Sequence, residues 1–140
     1  MANANWEGSL NVSKDSLFDA ILDFEHYPDF VDGVTRVKVD RSGGKCLVTY
    51  HVSMVKDVIY TLEHTEDREA GRLEWELVES SFFTKNSGHW QITAEGDSSC
   101  YVEYEIEADF SLPMPGFMVK KLIQANLPKM IKNFEEQAKA

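Results

Sequence analysis

Long apolar runs are missing from this chain. No stretch approaches the ~20 residues that a membrane-spanning helix needs. Met1–Asn5 has no basic start leading into an apolar centre, so neither a span nor an export signal is expected, and a soluble cytoplasmic protein is. Cysteine is equally scarce. Cys46 and Cys100 are the 2 in 140 residues, and both fall in phase with the apolar residues around them, which predicts buried reduced thiols rather than a disulfide framework. Positive charge is short as well: 14 lysines and arginines against 24 acids give a net charge of -10, which repels phosphate backbones and argues against a nucleic-acid partner. Catalytic signatures are absent too. There is no Gly-x-Ser-x-Gly turn, no His-x-His or Cys-x-x-Cys pair and no phosphate-cradling glycine loop. No repeat, low-complexity tract or linker divides the sequence, and its length suffices for a core without metal or disulfide support. One domain over residues 1–140 is expected.

What the chain does have is alternation. Trp6, Gly8, Leu10 and Val12 share one side of a first strand, and Val37 and Val39 mark a second that turns at Ser42-Gly43-Gly44. Cys46, Val48, Tyr50, Val52 and Met54 form the inner row of a third, and Val58, Tyr60 and Leu62 that of a fourth. Leu73, Trp75 and Leu77 serve a fifth, and Trp90, Ile92 and Ala94 a sixth. A seventh carries Cys100, Val102, Tyr104, Ile106, Ala108 and Phe110. A period of two repeated this often predicts an antiparallel sheet with one apolar and one solvated face. The apolar face needs a cover. The C-terminal stripe Phe117, Met118, Leu122, Ile123, Leu127, Met130, Ile131 and Phe134 has helical spacing and can supply it, with Pro128 bending the axis near residues 124–128.

Between the first two strands lies the most distinctive segment. Ser13 can cap a helix whose Phe18, Ile21 and Leu22 share a face, and Pro28 then turns the chain at Tyr27. Asp23 ahead of Tyr27-Pro28-Asp29-Phe30, Phe83 seven residues before Trp90, and the run Cys100–Ile106 follow one another in order. Together they resemble the START-like (SRPBCC) superfamily, in its polyketide cyclase/dehydrase and coenzyme-Q-binding branch. The resemblance implies an α+β helix-grip fold. In it a curved seven-stranded antiparallel sheet wraps a long C-terminal helix, two short helices follow the first strand, and a ligand pocket lies between sheet and helix.

On that architecture the candidate ligand-binding residues are Tyr50, Val52, Met54, Tyr60, Trp75, Trp90, Ile92, Tyr104, Phe117, Leu122 and Leu127. Small inner residues (Gly8, Val52, Ala94) would leave room that the aromatics frame. The expected ligand is apolar, a polyprenyl quinone or another lipid, with a tyrosine hydroxyl bonding a carbonyl. No catalytic residue, metal site or cofactor is assigned. The acid-rich turn around His26 reads as solvated, His51 and His89 fall on the outer face, and His64 follows the inner phase at a strand end. An aromatase/cyclase-type enzyme is the alternative reading, and the branch of ribosome-association toxins is a weaker one. Residues 111–134 hold Lys120, Lys121, Lys129 and Lys132 and no acid, so transient contact with an anionic membrane surface is a further expectation.

Overall fold

Seven strands form one open antiparallel sheet in the order β1-β7-β6-β5-β4-β3-β2. They are β1 (Ala2–Leu10), β2 (Val34–Asp40), β3 (Cys46–Ser53), β4 (Asp57–Asp67), β5 (Arg72–Ser80), β6 (Phe83–Ala94) and β7 (Cys100–Phe110). The computed structural model describes residues 2–53, 57–113, 115–120 and 127–139. Between β1 and β2 run helix α1 (Lys14–Leu22) and a 3-10 helix (Phe24–Asp29); after β7 come α2 (Gly116–Val119) and α3 (Leu127–Lys139). This is the expected helix-grip arrangement. Among the described residues no helix is long and apolar enough to cross a membrane.

Local chemistry accounts for the connections. Ser13 caps α1, its Oγ accepting from the Ser16 amide at 3.1 Å, and Leu17, Phe18, Ala20 and Ile21 form its buried face. At the far end the Tyr27 hydroxyl donates to the Ile21 carbonyl, satisfying one of the acceptors that a helix C-terminus leaves free. The β2–β3 turn runs through Gly43 and Gly44 at φ of 70° and 75°, values that side chains bearing a Cβ disfavour.

The cover is α3. Leu127, Ile131 and Phe134, spaced four and three apart, are buried against the sheet. The Phe134 ring meets Tyr27 at 5.3 Å, Phe30 at 5.0 Å and Trp90 at 5.3 Å, all edge-to-face. Two polar ties hold the helix to the turn: Asn133 Nδ2 donates to the Phe30 carbonyl at 2.9 Å and Lys129 Nζ pairs with Asp32 at 2.8 Å. Pro128 is the second residue of α3. The bend expected at 124–128 falls mostly outside the described residues.

Several expectations need correction. Strand β6 begins at Phe83, well before Trp90, and its first half carries Asn86 and Gly88 on the inner face. Ala94 is exposed because it ends that strand beyond the core. The space above Gly8 is filled by the Trp6 ring, which would lie 3.0 Å from a Cβ there. Cys100 is buried, but Cys46 is only half-buried at the start of β3.

Register shifts interrupt the β2–β3, β4–β5 and β6–β7 ladders, and such bulges bend strands and increase twist. Gly88 assists the bend. A Cβ at this position would stand 2.2 Å from the Glu105 carbonyl oxygen and 2.6 Å from Trp75 Cζ2. Gly88→Ala is therefore expected to destabilise the fold by about 1–3 kcal/mol through overpacking, read as a lower urea midpoint together with an altered near-ultraviolet tryptophan signal. An unchanged midpoint would mean that β6 and Trp75 separate freely.

Candidate functional site

The aromatic side chains of the inner face do not close the space beneath α3. A partly open cavity of about 130 Å³ remains between sheet, turn and helix. Tyr50, Tyr60, Trp75, Trp90 and Tyr104 contribute most of its aromatic wall. Val34, Leu62, Leu73 and Ile106 add aliphatic surface, Tyr27 and Val31 enter from the turn, and Met130 and Phe134 from α3. Two flat faces are built into it. Tyr50 and Tyr60 stack at 5.3 Å and 26°, while Trp75 lies 5.6 Å from Tyr104, whose ring also receives Trp90 edge-on at 4.9 Å.

The polar groups lining the cavity are few. Trp75 Nε1 donates to Asn86 Oδ1 at 3.0 Å, which orients the amide and leaves its NH₂ end without a partner among the described residues. The hydroxyls of Tyr60 and Tyr104 likewise have no protein partner there. His64 Nε2 lies 2.9 Å from the Tyr50 hydroxyl, its ring packs at 4.6 Å on Phe24, and its Nδ1 is buried without a partner. In either neutral tautomer one hydrogen-bonding position of the Tyr50–His64 pair stays unused.

Burial keeps these groups uncharged. It pushes the phenols of Tyr60 and Tyr104 well up from their ordinary value, with Tyr60 adding to the effect on Tyr104. It also drives His64 down from 6.5 to about 4, helped by the Arg41 charge. Among the described residues no lysine, arginine or carboxylate lines the cavity. The outer face is the opposite. A groove of about 250 Å³ there is walled by Arg72, Glu74, Glu76, His89, Glu105 and Glu107, with Arg72 Nε already bonded to Glu74 at 2.6 Å.

Of the residues singled out from the sequence, Tyr50, Tyr60, Trp75, Trp90 and Tyr104 meet at the cavity. Val52, Ile92 and Leu127 are buried in the main core but do not line it. Phe117 is a correction: it is 74% exposed on α2 rather than turned under the sheet, because the short helix containing it follows β7 outside the stripe that α3 buries. Met54 and Leu122 lie outside the described residues, as does Lys121. His64 keeps the inner phase expected of it and is buried at 8% exposure, but it lies within β4 rather than at a strand end, since β4 continues to Asp67. Asn86 was missed altogether. The available signal was its even spacing from Trp90, which puts the two on the same face of a strand that starts early. His26 pairs with Asp23 at 2.7 Å on the surface.

The sequence matches the family model for polyketide cyclase/dehydrase and lipid transport over residues 10–135. It matches no curated protein. Solved structures share the fold at low identity. A START superfamily protein from Mycobacterium smegmatis is 20% identical, with a TM-score of 0.84 over 98% of this chain and 97% of that one. The Zhui aromatase/cyclase from a Streptomyces species is 12% identical, with a TM-score of 0.86 over 99% and 93%. Norcoclaurine synthase from Thalictrum flavum, in complex with dopamine and hydroxybenzaldehyde, is 16% identical, with a TM-score of 0.68 over 96% and 84%.

The buried imidazole makes stability depend on pH. His64 is neutral in the fold down to about 4, whereas the unfolded chain takes up the proton near 6.5. Its contribution is therefore complete above 6.5 and is lost as pH falls toward 4. At ~1.4 kcal/mol per pH unit across that gap, the loss is about 3 kcal/mol. His64→Gln, which cannot titrate, should lose that much less stability than the parent between pH 7 and pH 4 in parallel urea titrations. Superimposable pH profiles would contradict a buried neutral His64.

Proposed function

The chain belongs to the polyketide cyclase/dehydrase and lipid transport family, and from that premise we propose that it is a binding module for an uncharged, largely apolar small molecule held between sheet and α3. One observation supports this above the others: a cavity walled by aromatic and aliphatic side chains, with a few neutral polar groups and, among the described residues, no ionised one. Small-molecule sites have that composition. Burial of apolar area, at about 25 cal/mol per Å², would drive binding. A polyprenyl quinone is one candidate and another lipid a second. With about 130 Å³ available, the ring of such a quinone would enter and its tail would leave through the open side. The protein would work in the cytoplasm, where both thiols stay reduced.

Turnover of the aromatase/cyclase type is the alternative. It would need a proton donor or acceptor in the cavity, and the group suited to that role is His64, which burial makes a weak base. Binding without chemistry asks less of these residues.

Contact with an anionic membrane is a second proposal, favoured by the exposure of Leu112 at 59% and Phe117 at 74% in the segment leading to exposed Lys120. Apolar side chains next to cations suit a negatively charged lipid surface. Lys129 contributes less, being paired with Asp32, while Lys132 is exposed.

Two measurements test these readings. A short-chain ubiquinone should quench tryptophan fluorescence saturably through Trp75 and Trp90, and a linear response equal to that of free tryptophan would defeat the binding proposal. Sedimentation with phosphatidylserine vesicles should fall as salt rises and fall again in Phe117→Ala. Equal sedimentation with neutral vesicles would remove the electrostatic part of the membrane reading.

A further inference from the structure

We propose that the cavity recognises a single-ring, uncharged compound through a carbonyl oxygen, bonded by the Tyr60 and Tyr104 hydroxyls and the Asn86 amide. The proposal rests on the binding reading above and specifies its ligand class. Three features of the site converge on it.

Size comes first. A dry cavity of about 150 Å³ accommodates benzene, so about 130 Å³ with one side open suits one ring and a small substituent rather than a fused polycyclic body. Shape agrees, since the stacked Tyr50–Tyr60 pair and the tilted rings of Trp75 and Tyr104 offer planar side chains against which a ring can lie.

Hydrogen-bonding capacity comes second. Asn86 has spent its oxygen on Trp75 Nε1, so what it can offer the cavity is two N–H donors. Tyr60 and Tyr104 are phenols that hold their protons at neutral pH, and burial raises their pKa values further; among the described residues neither hydroxyl has a partner. These groups lie on β4, β6 and β7 and line the same space. They open onto the cavity rather than being sealed among protein atoms, so without a ligand water can serve them. A ligand acceptor with two lone pairs, such as a carbonyl or quinone oxygen, can replace that water at more than one of them.

Charge comes third. A carboxylate brought into this cavity would lose its water and find no lysine or arginine among the described residues of the lining. Arg41, which influences His64, instead faces Glu66 at 3.7 Å with half its side chain in solvent.

The test uses three probes of similar ring size, namely acetophenone, ethylbenzene and benzoate, titrated into the ¹⁵N-labelled protein. Acetophenone should bind about tenfold or more tightly than ethylbenzene, and benzoate more weakly than acetophenone by a similar factor or more. In Tyr60→Phe and Tyr104→Phe the ratio of acetophenone to ethylbenzene affinity should fall about two- to tenfold for each hydroxyl removed. Thermal stability should hold or rise, because among the described residues neither hydroxyl has a partner. Equal affinity for acetophenone and ethylbenzene in the parent would overturn the carbonyl assignment while leaving apolar binding intact. Benzoate bound as tightly as acetophenone would overturn the selection for neutrality. Failure of all three to bind would overturn this proposal and the binding function together. The parent measurements decide the matter even if a variant folds poorly.

Discussion

Packing of α3 across the inner face of the sheet is the constraint on which the rest of this molecule depends. An antiparallel sheet with an apolar side cannot leave it in water. Leu127, Ile131 and Phe134 cover that side here, and Phe134 does so at the meeting point of three elements, touching rings from the turn after α1 and from β6. Because the sheet bends at its register shifts and at Gly88, a straight helix segment cannot touch it everywhere. The cavity is what this mismatch leaves. It is bounded by the same aromatics that make the core, so architecture and candidate site are one arrangement.

Electrostatics divide along the sheet. Side chains that alternate outward from β5 and β7 include Glu74, Glu76, Glu103, Glu105 and Glu107, which carry much of the negative charge. Those alternating inward are uncharged, and the titratable ones among them are held neutral by burial: tyrosines shifted up, His64 shifted down. One strand can do both because successive side chains point to opposite faces. On the proposed reading, selectivity at this site would come from shape and from neutral donors rather than from ion pairing. The strongly acidic surface and the apolar interior answer to different parts of the environment.

Much of this was legible in the chain. Period-two alternation identified all seven strands and most of their inward rows, since burial of one sheet face imposes that pattern directly on sequence. Ser13 as a cap and the Tyr27-Pro28 turn were equally local, each depending on a side chain and its immediate backbone. Five aromatics of the cavity followed from phase alone. The misplaced residues fail for a common reason: Ala94 and Phe117 lie where an element ends, and periodicity does not say where a strand leaves the core or which turn of a helix is covered.

Sequence by itself therefore determined the sheet, its two faces, the helix that covers it and the family to which the chain is similar, because these depend on neighbours a few residues apart. Only the tertiary structure decided the chemistry of the cavity. Asn86 is a donor because Trp75, 11 residues away, takes its oxygen; His64 is neutral because Phe24, Tyr50 and Trp75 surround it. The Tyr60 and Tyr104 hydroxyls line the same cavity from β4 and β7, and among the described residues neither has a partner. Partnership and burial are properties of distance in space, and the residues that set them here come from separate strands and the turn between β1 and β2.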